Sequence, residues 1–333
     1  MKIETFKALV VEELGDKQFK REVTPRKLSD LPDGDVLVQV EYSSLNYKDT
    51  LSATGNKGIT RHYPHTPGID AAGWVVESRD KQIKEGDQVI VTGYDLGMNT
   101  AGGFSQYVRV PSGWIIPLPT GLSLKESMVY GTAGLTAAMS IHKLELNGLK
   151  KDAGEVLVTG ATGGVGSMAV AILSRLGYQV VASTGKLKEK EFLISLGAHE
   201  VMDREELKDP SAKPLGKKRW AGVVDTVGGE TLTTAIKTTM DEGSVSCCGM
   251  VTSTDLKSSI FPFILRGINL LGISSAEYPL SRKVVLWDKL ADPWKIDSFD
   301  RIHTECGLDQ LNGYIDQMLK GQITGRIVVR LDT

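Results

Sequence analysis

The sequence predicts an α/β protein of two domains, one built on a doubly wound parallel sheet and the other mainly β. Three observations carry this. Residues 155–159 (EVLVT) form a short apolar, β-branched run. Gly160, Gly163, Gly164 and Gly166 follow, and then a helical apolar pattern at Ala169, Ile172, Leu173 and Leu176. Further strand-like runs recur at 179–183, 199–202, 222–226, 244–248 and 268–273. Before them, residues 4–120 read as short strands divided by glycine and proline turns, with little helix.

The strand, glycine turn and helix at 155–176 match the phosphate-binding opening of a dinucleotide fold. Glycines let the backbone turn tightly against a pyrophosphate, and the helix N-terminus offers free N–H groups and partial positive charge. Thr162, Gly163, Gly164 and Val165 are therefore candidate cofactor contacts. NAD-preferring folds place an acid after the second strand to bind the ribose 2′-hydroxyl. This chain has Ser183, Thr184, Gly185 and Lys186 there, with Arg204 after the third strand. Hydroxyls and cations suit a 2′-phosphate, so NADP(H) is the expected cofactor. Lys188, Lys190 and the basic stretch 213–219 are expected on solvated surface. Val227, Cys248, Gly249 and Met250 lie past strand ends, where doubly wound sheets bind ligands. Ser274 and Ser275 follow the sixth strand, and helices are expected at 280–290 and 308–319.

In the N-terminal region, strands are expected at 5–11, 35–42, 73–77, 88–92, 107–110 and 114–117. The polar run Asn46-Tyr47-Lys48-Asp49 follows one of them, and prolines force the segment 61–73 into an irregular path. The polar run suits either a cleft lining or a helix start in which Asn46 caps and Lys48 and Asp49 face solvent. His62 and His65 have a spacing open to a metal, but surrounding prolines and the lack of nearby cysteine favour loop histidines. Ser123 and Glu126 spell a capping box. Thr132 and Thr136 either face a ligand or bond back to their helix. The final strand, expected at 323–331, is far from the dinucleotide unit in sequence and is expected to rejoin the β domain.

The chain has 333 residues, 41% hydrophobic and 24% charged, with a net charge of -2. That supports a substantial core and argues against nucleic acid as a partner. No apolar run is long enough to span a bilayer and the first residues do not read as a signal peptide, so a cytoplasmic location is expected. Cys247, Cys248 and Cys306 are too few for a disulfide framework. The first two are expected as small core residues.

With these motifs in view, the chain resembles the medium-chain dehydrogenase/reductase superfamily. The β region, 131-GTAGLTA-137, 160-GATGGVG-166 and 324-TGRIVV-329 carry the resemblance. Within it, 45-LNYKD-49, 66-TPGIDAAG-73 and 183-STGK-186 are similar to the YhdH/YhfP group, quinone oxidoreductases related to acrylyl-CoA reductase. The resemblance implies a Rossmann domain at 126–295 and a GroES-like, partly open barrel at 1–125 and 296–333. Zinc-dependent relatives place Cys near position 46, Gly-His-Glu at 68–70, and a four-cysteine lobe. Their absence here implies zinc-free chemistry on ligand grounds.

The activity it implies is NADPH-dependent reduction of an activated C=C bond, as in an enoyl thioester such as acrylyl-CoA. A quinone is the alternative substrate, and an NADPH-binding sensor without turnover the further one. Tyr47 and Asn46 are the implied catalytic pair, with Tyr47 also at the cofactor, Asp49 as an orienting group and Arg326 as the cation that reaches the cofactor. Lys57, Arg61 and His62 could serve a nucleotide tail at the rim. The resemblance also implies a homodimer that pairs sixth strands edge to edge.

Overall fold

The computed structural model describes residues 4–15, 17–209, 211 and 213–331. It separates into two compact units. The first comprises the chain up to Thr132, Ala276–Ala291 and the chain from His303; the second comprises Ala133–Ser275 and Asp292–Ile302. The 280–290 helix, expected within the Rossmann domain, thus packs with the first unit.

The first unit is organised by a seven-stranded sheet. In spatial order its path runs His303–Gly307, Arg326–Arg330, Val36–Leu45, Asp70–Ser78, Gln88–Thr92 and Ile116–Pro117, with Tyr107–Val110 also on Val36–Leu45. A hairpin, Thr5–Gly15 with Gln18–Lys27, stands beside it. The core gathers the alternating apolar residues of these strands, including Leu9, Val38, Val40, Val91, Val108, Ile327 and Val329. The closing strand rejoins this β unit, antiparallel to Val36–Leu45 with Ile327 opposite Leu45. That register brings Arg326 to the end of the strand that leads into Asn46.

Two strands lie outside the sequence expectations. Gln18–Lys27 carries Lys, Arg and Pro25 and alternates only between half-buried and exposed positions. His303–Gly307 buries only Cys306. Neither has the apolar alternation that betrays a strand. A third difference matters more: the strand expected at 73–77 begins at Asp70, inside the proline-rich segment expected to be irregular.

The second unit is a six-stranded parallel sheet. Its order is Glu200–Asp203, Gln179–Thr184, Glu155–Val158, Trp220–Asp225, Thr239–Cys247 and Asn269–Gly272. Sequence order reverses between Glu155–Val158 and Trp220–Asp225, the topological switch point of a doubly wound fold. Trp220–Asp225 is buried along its whole length, as a strand covered on both faces must be. Helices Gly164–Arg175 and Gly229–Thr238 supply apolar faces such as Met168, Ile172, Leu232 and Ile236.

Candidate active site

Asn46 ends the extended run from Val36 and caps the short helix Tyr47–Ser52. Its backbone N–H donates to Asp49 Oδ2 at 2.7 Å, so the helix-start reading of this polar run holds for the backbone. It does not hold for Asp49, which is fully buried and also accepts from the Ile69 N–H at 2.9 Å. Burial, then the charge of Asp70, pushes the Asp49 carboxyl up to about 7. Tyr47 remains 53% exposed, and its phenol bonds to no described residue.

The Asn46 side chain turns inward. Its Nδ2 donates to Asp70 Oδ2 at 2.7 Å, and its Oδ1 accepts from Arg326 Nη1 at 3.2 Å. Asp70 also accepts from Ser44 Oγ (2.6 Å), Thr132 N (2.9 Å) and Thr132 Oγ1 (2.6 Å). Four donors thus converge on one buried carboxylate.

Gly131 is what lets Thr132 reach it. The helix Leu124–Leu146 breaks there, at φ 51 and ψ -156, in the left-handed region that favours glycine. A Cβ on Gly131 would lie 2.5 Å from both Asp70 Oδ2 and Ser44 Oγ. Arg326 is 2% exposed and donates from Nε to Val129 O, from Nη1 to Leu45 O and from Nη2 to Ser44 Oγ. Its guanidinium is therefore engaged within this cluster, and a sequence pattern alone does not reveal that inward turn.

In the second unit the glycine turn has the expected build. Gly163 caps the helix Gly164–Arg175, and a Cβ on Gly166 would lie 2.3 Å from Gly160 O. The turn is tied to the next strand by Ala161 N donating to Ser183 O at 3.0 Å. Thr162 and Thr184 share a hydroxyl hydrogen bond of 3.1 Å, and Thr184 Oγ1 accepts from Lys186 N at 3.0 Å. Ser183 Oγ is buried and without a partner, an unmet polar group beside the phosphate-binding turn. A Cβ on Gly185 would sit 2.9 Å from Arg204 Cδ and Nε. The glycine thus lets the Arg204 guanidinium lie across the turn; Arg204 is exposed, with Glu205 Oε1 at 3.5 Å. These groups fit a nucleotide phosphate: a bare backbone cradle, an unmet hydroxyl and a cation.

At the other strand ends, Asp225 receives Thr159 Oγ1 and Gly228 N, and burial pushes its carboxyl up. Cys247 and Cys248 are half-buried rather than core, because their strand ends there. Cys248 Sγ donates to Asp225 O at 3.3 Å, and burial pushes its thiol up to about 12. Gly249 packs on the Thr226 carbonyl and Met250 is 70% exposed. Ser275 Oγ accepts from Thr136 Oγ1 at 3.0 Å, and Ser274 is exposed.

His65 is buried in its loop, with Nε2 unpartnered, while His62 is exposed. Among the described residues no group of three His, Cys, Asp or Glu is placed to hold a metal. Lys57 is occupied by Glu13 at 2.6 Å and by the Tyr63 ring, so it does not stand free at a rim. Arg219, expected in a solvated loop, instead pairs with Glu155 and Glu200 over the Trp220 ring. Among the described residues no helix is long and apolar enough to cross a membrane.

A dinucleotide-type sheet and a separate β unit with a buried carboxylate cluster define a two-domain nucleotide-dependent oxidoreductase. The alcohol dehydrogenase GroES-like domain model matches residues 32–120, and the zinc-binding dehydrogenase model matches 164–287. The chain is 43% identical to the acrylyl-CoA reductase AcuI of Ruegeria pomeroyi, over 97% of this chain and 98% of that one. The yhdH oxidoreductase from Salmonella enterica, solved with NADP, superposes with a TM-score of 0.95 at 39% identity, covering 98% of this chain and 100% of that one. Bacillus subtilis yhfP, solved with NAD, gives 0.96 at 44% identity over 99% and 100%. The chain belongs to the medium-chain dehydrogenase/reductase superfamily, in the group of YhfP, YhdH and AcuI.

The Asp49 environment gives a pH signature. With its carboxyl raised to about 7, the folded state holds a proton that the unfolded chain, near its ordinary value of about 3.9, has released. That contribution to stability is complete below about pH 4 and is lost as the pH rises to about 7. Melting temperatures of the wild type relative to Asp49→Asn should fall across this window and level off above it. A difference that rises with pH, or stays flat, contradicts the raised value.

Proposed function

We propose that the chain is an NADPH-dependent reductase of activated C=C bonds, acting on an enoyl thioester of the acrylyl-CoA type. The observation that carries this is the full-length similarity to AcuI, in a chain whose own Ser183–Arg204 surroundings suit a 2′-phosphate. No carboxylate stands at the 183–186 turn, whereas an acid there would repel that phosphate. The bound nucleotide supplies a hydride, which adds to the β-carbon while a proton goes to the α-carbon, saturating the bond. Thr162, Gly163, Gly164, Val165 and Ser183 to Lys186 hold the phosphates, with Arg204 beside them. Asn46 is fixed by Asp70 and Arg326, and the exposed Tyr47 phenol stands next to it in the chain. This segment meets the negative charge that develops on the substrate's carbonyl oxygen, and Tyr47 delivers the proton.

The functional molecule in this reading is a homodimer. Asn269–Gly272 is the outer strand of its sheet, with no further strand on its open edge among the described residues. Leu270 on this strand is exposed, as are Met250, Val251, Phe261, Ile264 and Leu265 in the segment that precedes it in the chain. Sedimentation should give twice the 36.1 kDa chain mass, and Leu270→Lys should shift it toward the monomer. A wild type that sediments as a monomer defeats this assignment.

NADPH consumption should be measured with acrylyl-CoA and a benzoquinone in parallel. Tyr47→Phe should lower kcat on the thioester by about 10²-fold while NADPH binding is kept. Retained turnover removes Tyr47 from the role. Activity on the quinone alone moves the substrate class, and tight NADPH binding with no turnover points to a sensor.

Arg204→Ala should raise the KM for NADPH about tenfold and leave that for NADH unchanged. Equal effects on the two nucleotides would show that Arg204 does not read the 2′-phosphate.

A further inference from the structure

The helix Leu280–Ala291 buries Lys283, Leu286, Trp287 and Leu290, the i, i+3, i+4, i+7 stripe of a core-facing helix. One of those four positions holds a lysine. Lys283 is 0% exposed. Its ammonium donates to Thr92 O at 2.6 Å and to Ala276 O at 3.3 Å, and lies 3.5 Å from the centroid of the Tyr94 ring. Among the described residues no carboxylate comes within ion-pairing distance of it. Lysine is almost never fully buried without such a partner, and an apolar residue would satisfy the stripe at no desolvation cost.

The surroundings are built to receive a cation. Tyr94 is held at φ 52, an uncommon conformation for a non-glycine residue. There its ring stacks on Trp114 (centroids 5.4 Å, planes 8° apart), and its N–H donates to the same Ala276 carbonyl that Lys283 engages. Thr92, whose carbonyl takes the ammonium, is the cross-strand partner of Asp70. Gly93 N donates to Ile69 O at 3.0 Å, closing the same corner.

We propose that Lys283 is a positioning residue for the Asp70 cluster: from behind the strand pair it fixes Thr92 against Asp70 and supplies a second buried cation, besides Arg326, for the Asp70 anion. Asp70 in turn sets the Asn46 side chain, and with it the segment bearing Tyr47. This rests on the reading that Asn46 and Tyr47 act on substrate. The charged groups bearing on the ammonium are Asp70 and Glu277, both of which favour its charged form. Burial outweighs them and brings Lys283 down to about 8. Tyr94 is pushed up by burial and by Glu277, so it stays a phenol where Lys283 titrates.

The test reads Lys283 in two ways on the full-length protein. In protein labelled with ¹⁵N-asparagine, the Asn46 side-chain amide should show a step near pH 7 from the adjoining Asp49 and a second with a midpoint near pH 8, and only the second should vanish in Lys283→Met. At saturating NADPH, kcat should fall above the same midpoint in the wild type. Lys283→Met should lose about tenfold in kcat, with a flat alkaline limb and a KM for NADPH within about twofold of wild type.

If Lys283→Met does not fold, Tyr94→Leu keeps Lys283 and removes the ring face beneath it, together with the stack on Trp114 and the hydroxyl's bond to Tyr278 O. It should move both midpoints down by about half a unit. An Asn46 amide that does not respond near pH 8 overturns the coupling, whatever the turnover. A responding amide with an alkaline limb unchanged in the variants overturns the positioning role. Absence of turnover with every substrate counts against the enzymatic reading, and the amide titration still decides the coupling.

Discussion

The first unit depends on one buried carboxylate. Asp70 sits at the first residue of its strand and takes four hydrogen bonds, two of them from the helix start at Thr132. A buried carboxylate is costly unless donors replace its lost water. The neighbouring choices follow from that need. Ser44 and Asn46 must present donors at the end of one strand, and Gly131 must lack a side chain so that Thr132 can approach. Arg326 must enter from a third segment, at 4.0 Å from the Asp70 oxygen. Three segments distant in sequence are thereby fixed around the short run that carries Tyr47.

The second unit is governed by sterics more than by charge. The backbone of its glycine turn comes so close to itself that a methyl group at Gly166 would meet the Gly160 carbonyl, and past two other strand ends one at Gly249 would lie 1.8 Å from the Thr226 carbonyl. Side chains there would fill the space in which a pyrophosphate meets N–H groups. In the proposed reading, nucleotide choice is made a strand further on, by different means. Gly185 gives room to a guanidinium, and Ser183 leaves a hydroxyl without a protein partner.

These two designs differ in how well a sequence displays them. Glycines at fixed spacing after a β-branched run are local, so the sheet of the second unit was readable strand by strand, its edges within two residues of expectation except at Thr239–Cys247, which starts ahead of the expected 244. The Asp70 cluster is non-local. Asn46, Tyr47 and Asp49 stood out as a polar run, but Ser44 and Asp70 sit in apolar stretches and only the strand register brings them together. The signal available was an acid flanked by apolar residues in GIDAAG, within a segment expected to be irregular. Nothing in TGRIVV says that the Arg326 guanidinium turns toward Ser44, Leu45 and Asn46. The strands Gln18–Lys27 and His303–Gly307 carry no periodic apolar face to detect.

Lys283 belongs to the same class of signal, and its energetics show why. An ion buried without an ionic partner lowers stability relative to a hydrophobic side chain of similar size. The stripe formed with Leu286, Trp287 and Leu290 shows that the position itself calls only for apolar volume. Carbonyls of Thr92 and Ala276 and the face of Tyr94 meet the ammonium's hydrogen-bonding and electrostatic needs, yet all three could exist without it. What an apolar residue could not supply is charge. In this part of the fold the charge bears on Asp70, which already collects the other buried cation. Lysine at 283 is therefore accounted for by the anion behind the strand pair, and the stability it sacrifices is spent on holding that anion in place.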